Sequence, residues 1–227
     1  MNISSAVDRT SKIVELRELM ARHSAAPQTR GRARLPTGIA PLDRALEGGL
    51  WKGGMVELLA PRRSSGSASL VRGLLHETAG QGLWSALIDG ADSFDPQLAG
   101  DQALSRLLWI RCHTAAEAMQ SADLLLRDGN LPFICLDLCQ NPPAHLRKIA
   151  STSWYRLQRM IEPTSVALLT LAPSPLIPCA DVRLELQSVF SLADLEETPA
   201  DLLRAVKLEV RRRRHAETGE EAFRRSA

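Results

Sequence analysis

Apolar residues along this 227-residue chain fall in short runs separated by polar stretches of helical spacing. Runs of strand length fall at Met55–Leu59, Trp84–Asp89, Leu107–Cys112, Phe133–Leu138, Ser165–Ala172 and Asp181–Val189, several of them near-continuously apolar. Such runs predict strands of a sheet covered on both faces. A last strand is predicted over Ala205–Val210. Helical spacing appears at Ser67–Ala79, Thr114–Leu126 and Ala144–Ile161. The second of these places Ala115, Ala118, Met119, Ala122, Leu125 and Leu126 on one face. Strand and helix alternating four times predict an α/β fold with a mainly parallel sheet and right-handed crossovers. The later strands follow one another without long helices, which predicts an antiparallel extension at one edge. Trp154 and Tyr155 are neighbours on a predicted helix and cannot share its face, so at least one is expected in the core.

The ends of the chain read differently. Residues 5–22 predict a short helix, with Ser5 and Asp8 as a capping box and a stripe of Ile13, Leu16, Leu19 and Met20. A helix this short is marginal alone, so its stripe needs a groove, either on its own domain or on a neighbouring molecule. The stretch HSAAPQTRGRAR (23–34) has linker composition. The expected organisation is an N-terminal helix and linker (1–34), a core domain (35–214) and a charged tail (215–227).

Composition narrows the class. With 44% hydrophobic and 24% charged residues the chain is ordinary for a globular protein with one sizeable core. No apolar stretch approaches the ~20 residues of a membrane helix, and the start lacks the pattern of a signal peptide. Cys112, Cys135, Cys139 and Cys179 form no C-x-x-C pair. They are expected as buried free thiols in a reducing cytoplasm, with no metal site. The net charge of +2 gives no case for nucleic-acid binding, but its distribution does: Arg211, Arg212, Arg213 and Arg214 are consecutive. Such a run can neutralise phosphates in a salt-dependent, sequence-independent way. It also reads as a solvated tail, since Glu217, Glu220 and Glu221 follow.

Candidate chemistry centres on LLAPRRSSGSASLV (58–71), a strand-like run entering a Ser/Gly stretch from which a helix leaves. That layout serves phosphate binding, in which successive N–H groups and a helix N-terminus face the anion and a Lys adds mobile charge. The G-x-x-x-x-G-K-[ST] signature fails here. Pro61 stands at the first Gly, Ser67 at the Lys, and Ala68 at the hydroxyl that holds Mg²⁺, although Ser69 follows. Arg62, Arg63, Ser64, Ser65 and Gly66 can still form an anion-binding turn, but on residues alone the stretch reads first as a plain Gly/Ser loop.

Its surroundings change that reading. LPTGIAPLDRALEGGLWKGGMVELLAP (35–61), SSG (64–66), ALIDGADSFDP (86–96) and FICLDL (133–138), in this order and spacing, resemble the core of RecA-type recombinases. SVALLTLA (165–172), DVRLELQ (181–187) and KLEVRRRR (207–214) fall where later strands of that family lie. The reduced length, the decayed loop and the Arg-rich end resemble most closely the ImuA family, small RecA-related proteins of bacterial SOS mutagenesis cassettes. The resemblance implies a RecA-like three-layer fold. It also implies error-prone translesion synthesis with an ImuB-like Y-family protein and a DnaE2-type polymerase, with RecA as a further candidate partner. Asp137 takes the place of the Walker B Asp, or simply ends a buried strand. The family's catalytic Glu corresponds to Ala91, and the neighbouring Asp92 is expected to point elsewhere. The places of RecA's two DNA-binding loops hold QNPPAH (140–145) and APSPLIP (172–178), which lack Gly and Arg or Lys. The expectation is a pseudo-ATPase adaptor without a cofactor. The alternatives are a nucleotide-binding regulator that holds ATP and Mg²⁺ through residues 62–69 and Asp137, and a SulA-like cell-division inhibitor.

Overall fold

The computed structural model describes residues 33–62, 64–191 and 193–213. The N-terminal stripe of Ile13, Leu16, Leu19 and Met20, together with Arg63, Arg214 and the tail, lies outside the described residues.

The chain enters through a short ribbon, β1 (Arg34–Leu35) against β2 (Leu50–Trp51), with helix α1 (Ala40–Ala45) between them. The TG…LD motif has a direct cause here. The carboxylate of Asp43 accepts from Thr37 N–H (2.8 Å), Thr37 Oγ1 (2.7 Å) and Gly38 N–H (3.1 Å), folding the segment before α1 onto its first turn. Gly49 closes the ribbon at φ 124°, where a Cβ would lie 2.2 Å from the Leu35 carbonyl oxygen, so a side chain is excluded sterically as well as by dihedral angle.

The main sheet has seven strands: β3 (Gly54–Leu59), β4 (Ser85–Asp89), β5 (Leu107–Arg111), β6 (Phe133–Asp137), β7 (Ala167–Ala172), β8 (Val182–Leu186) and β9 (Leu208–Arg213). Their order is β5-β4-β6-β7-β3-β8-β9. All neighbours pair in parallel except β8 and β9, which form the antiparallel edge. The central strands are buried along almost their whole length because helices cover both faces, which is why their sequences are apolar runs rather than alternations. Helix α2 (Ser67–Gly80) covers one face, packing Leu70, Val71, Leu74 and Leu75 against Val56, Leu58, Leu87, Cys135 and Leu169. Short α3 (Asp101–Leu104) lies beside α2. The other face carries α4 (Ala115–Asp128) and α6 (Ser151–Ile161) over Ala86, Ile88, Ile134, Leu136 and Leu168. Trp154 is core, 1% exposed, and Tyr155 is 46% exposed.

Two expectations change. Ala144–Ile161 is not one helix but α5 (Pro143–Leu146) and α6. Bonds from Lys148 N–H to His145 O and from Ile149 N–H to Leu146 O tighten and end α5, and Ala150 is extended. The last strand runs Leu208–Arg213 rather than Ala205–Val210, because α7 (Pro199–Ala205) precedes it. Thr198 caps α7 by accepting from Asp201 N–H, with Pro199 next in line, a start signal present in TPAD.

Candidate functional site

The loop from Ala60 to Gly66 joins the C-terminal end of β3 to α2, as the phosphate-loop layout requires. Ser64 (φ 59°) and Gly66 (φ 89°) take left-handed conformations, and Gly66 is the N-cap of α2. That end of α2 has no side-chain cap and no acidic residue in its first turn. The loop borders a cleft of about 990 Å³ at the C-terminal edge of the sheet, where the chain leaves β3 toward β4 on one side and β7 toward β8 on the other. Ligands of open α/β sheets bind at such switch points.

Backbone and side chains diverge at this site. Arg62, Ser64, Gly66, Ser67, Ala68 and Ser69 line the cleft. Ser65 is not among the lining residues: it is buried and its hydroxyl has no hydrogen-bond partner. Neither Ser67 nor Ala68 offers a mobile cation, and the described part of the loop contributes one, Arg62.

Asp137 ends β6 beside Asp89 of β4. The cleft wall at this strand end is made by Cys139, Gln140 and Asn141, not by Asp137. The Asp137 carboxylate accepts from Cys139 N–H (2.9 Å). Burial pushes this carboxyl above its ordinary pKa, and the nearby Asp89 charge adds to the rise. Ionised Asp137 is therefore disfavoured in the native chain relative to the unfolded one, and the stability it withholds above its native pKa returns as pH falls through that value. Asp137→Asn keeps an acceptor for Cys139 N–H without the charge. It is expected to melt higher than wild type at neutral pH by roughly 1–3 °C, the shift that about 1 kcal/mol or less gives in a chain this size. The advantage should shrink on acidification; thermal melts in which it grows as pH falls would contradict the assignment.

In the turn after β4 the carboxylates of Asp89 and Asp92 are both engaged. Asp89 is buried and accepts from Ser93 N–H (3.0 Å) and Phe94 N–H (2.8 Å), so it builds the turn. Asp92, at φ 51°, makes a bidentate pair with Arg111 of β5 at 2.6 and 2.8 Å. Its pKa is lowered first by that hydrogen bond. Asp92 is thus turned to the edge strand, as its position one residue along the turn predicts.

The two segments in the place of DNA-binding loops are fastened to the body. Asn141 donates from Nδ2 to Gly90 O. In the second segment, Leu176 and Ile177 donate their N–H groups to Glu57, which also pairs with Arg183. Glu57 is 0% exposed in the middle of β3. Sequence reasoning passed over it, although a lone acid inside an apolar strand signals a buried partner.

The first three arginines of the run are not a free tail. Arg211 pairs with Glu185 (2.7 Å) and Glu209 (2.7 Å), Arg212 donates to Pro178 O (2.7 Å), and Arg213 donates to Ala45 O (2.6 Å). Arg212 and Arg213 also lie in register with Arg183 and Val182 of β8. The reading as a solvated tail is therefore corrected for these three residues: their guanidinium groups hold the last strand to its surroundings.

Phe190 is a second residue that sequence reasoning missed. It follows β8, lines the cleft, and donates its N–H to Ser64 O (2.9 Å). No sequence signal marks it beyond an aromatic in a polar stretch.

No family model matches the chain. It is similar to the protein named Protein RecA of Frankia alni, 34% identical over 106 residues, covering 45% of this chain and 30% of that protein. Protein RecA of Xylella fastidiosa (strain M12) is 35% identical over 106 residues, again 45% of this chain and 30% of the other. Protein RecA of Clavibacter michiganensis subsp. michiganensis is 33% identical over 108 residues, 46% of this chain and 30% of the other. The chain thus spans less than a third of the length of these curated relatives. With its mainly parallel seven-stranded sheet between helices, it is an α/β protein of RecA-like fold, related to RecA at the level of the superfamily.

Proposed function

We propose that this chain is a non-catalytic RecA-like adaptor in DNA-damage-induced, error-prone translesion synthesis, acting in the cytoplasm with an ImuB-like Y-family protein and a DnaE2-type polymerase. One observation carries the reading: the phosphate loop keeps its place between β3 and α2 but presents Ser67 and Ala68 where phosphoryl transfer needs a Lys and a Mg²⁺-holding hydroxyl. The acid that would position water is missing at Ala91, and Asp92 is engaged by Arg111. Among the described residues no helix is long and apolar enough to cross a membrane. RecA remains a further candidate partner. DNA contact would fall to the Arg211–Arg214 end, with three of its arginines already in intramolecular bonds.

The expected result is no ATP turnover above background, together with capture of the two polymerase-class partners in a pull-down from SOS-induced cells. Turnover that vanishes in Gly66→Asp would place real chemistry in the loop and overturn the reading, as would capture of neither partner. The size of the cleft and the uncapped α2 terminus support a second reading, a nucleotide-binding regulator. It requires saturable, Mg²⁺-dependent ATP affinity in a titration.

A further inference from the structure

A phosphate loop is a run of exposed backbone groups, and in a nucleotide-binding protein the bound phosphate holds that run in place. Here another group stands against it. Phe190 donates its N–H to the carbonyl of Ser64, the residue in the loop with φ 59°. Its ring is seated on Gly66, so close that a Cβ there would lie 2.6 Å from Phe190 Cε2. The ring is half-buried and joins the hydrophobic core on the α2 side of the sheet.

The segment carrying Phe190 is tied to Lys207 at its start and closed by a local turn at its end. At its start, Gln187 N–H donates to Lys207 O (2.9 Å), and Lys207 N–H donates to Ser188 Oγ (2.7 Å). At its end, the Asp194 carboxylate accepts from Ser191 N–H (2.6 Å) and Ser191 Oγ (2.8 Å). Those bonds keep Asp194 ionised to lower pH than usual. Ser191 and Asp194 line the same cleft as the loop, so the turn that follows the strap also sets a negative charge in the space a phosphate would enter.

We infer that residues 187–191 act as a built-in strap that holds the phosphate loop in its cradle form in place of a nucleotide, making the shape of this face independent of ATP. The inference rests on the non-catalytic reading of the loop but not on the identity of its partners. Loss of polymerase capture would sink the proposed function and leave the strap standing.

The test is amide hydrogen exchange across residues 64–70 of the full chain, with and without Mg-ATP. Wild type is expected to exchange at the same rate in both conditions. Phe190→Ala should speed exchange in the loop by about tenfold or more while amides of β6 stay unchanged, and Phe190→Leu should restore most of the protection. If Phe190→Ala does not fold, Asp194→Asn, which weakens only the Ser191 turn, should give a smaller acceleration confined to the same amides. Loop exchange in the folded variant (Phe190→Ala, or Asp194→Asn in its stead) within about twofold of wild type overturns the strap, and so does a roughly tenfold slowing of the wild-type loop by Mg-ATP.

Discussion

Replacing Glu57 with alanine is expected to destabilise the fold by about 3–5 kcal/mol, because it leaves Arg183 as an unpaired, largely buried cation. At roughly 2–4 °C per kcal/mol for a chain of this size, the melting temperature should fall by about 6–20 °C. The acid has no access to water, and it serves three donors at once: the N–H groups of Leu176 and Ile177 and the Arg183 guanidinium. Arg183 in turn donates to Ile177 O (2.9 Å), so this one carboxylate and its arginine hold residues 176 and 177 of the turn after β7. Glu57→Gln keeps an acceptor for the amides and should cost less. Combining Glu57→Ala with Arg183→Met should recover part of the loss, since no charge is then left without a partner. Urea melts of the four proteins decide it. A Glu57→Ala midpoint within about 1 kcal/mol of wild type would mean that the network contributes little.

Ending the chain before Leu208 is expected to abolish cooperative folding. Strand β9 covers the outer edge of β8 along its whole length, from Val182↔Arg213 to Leu186↔Leu208. Its removal exposes the backbone of β8, uncovers Leu208's contact with the core, and cuts the Arg212 tie to Pro178 and the Arg213 tie to Ala45. Losing five paired positions and an edge cover removes an amount comparable with the ~5–15 kcal/mol by which a domain is stable at all. Circular dichroism melts and amide dispersion in NMR report the outcome. A sharp transition within a few degrees of the full chain would show that β9 is an accessory strand.

The central strands were legible because burial on both faces leaves a mark in composition: Phe133–Leu136 and Leu168–Leu171 have almost no polar residue to misplace. The antiparallel edge was legible because no helix of crossover length separates Leu186 from Leu208. The loop at 60–66 could be placed between strand and helix, and the engagement of Asp92 away from the cleft followed from turn geometry. Long-range partners left no such mark. Glu57 meets residues about 120 positions away, and Phe190 meets Gly66 across a similar distance; neither pairing has a local period or spacing to betray it. The arginine run misled for a related reason. Four consecutive cations look like a free tail in one dimension, whereas successive strand residues Arg211, Arg212 and Arg213 reach different partners: Glu185, Pro178 O and Ala45 O.

The strand order has a consequence for how the chain is made. Strand β3 pairs only with β7 and β8, and its first parallel partner, Ala167 opposite Gly54, lies about 110 residues further along the sequence. During synthesis at ~5–20 residues per second, the apolar strand Gly54–Leu59 therefore waits roughly 5–20 s with both edges unpaired. Meanwhile β4, β5 and β6 can already pair among themselves. The nascent chain thus carries a half-sheet and an orphan strand at the same time, the state in which wrong strand pairing and capture by chaperones compete with folding.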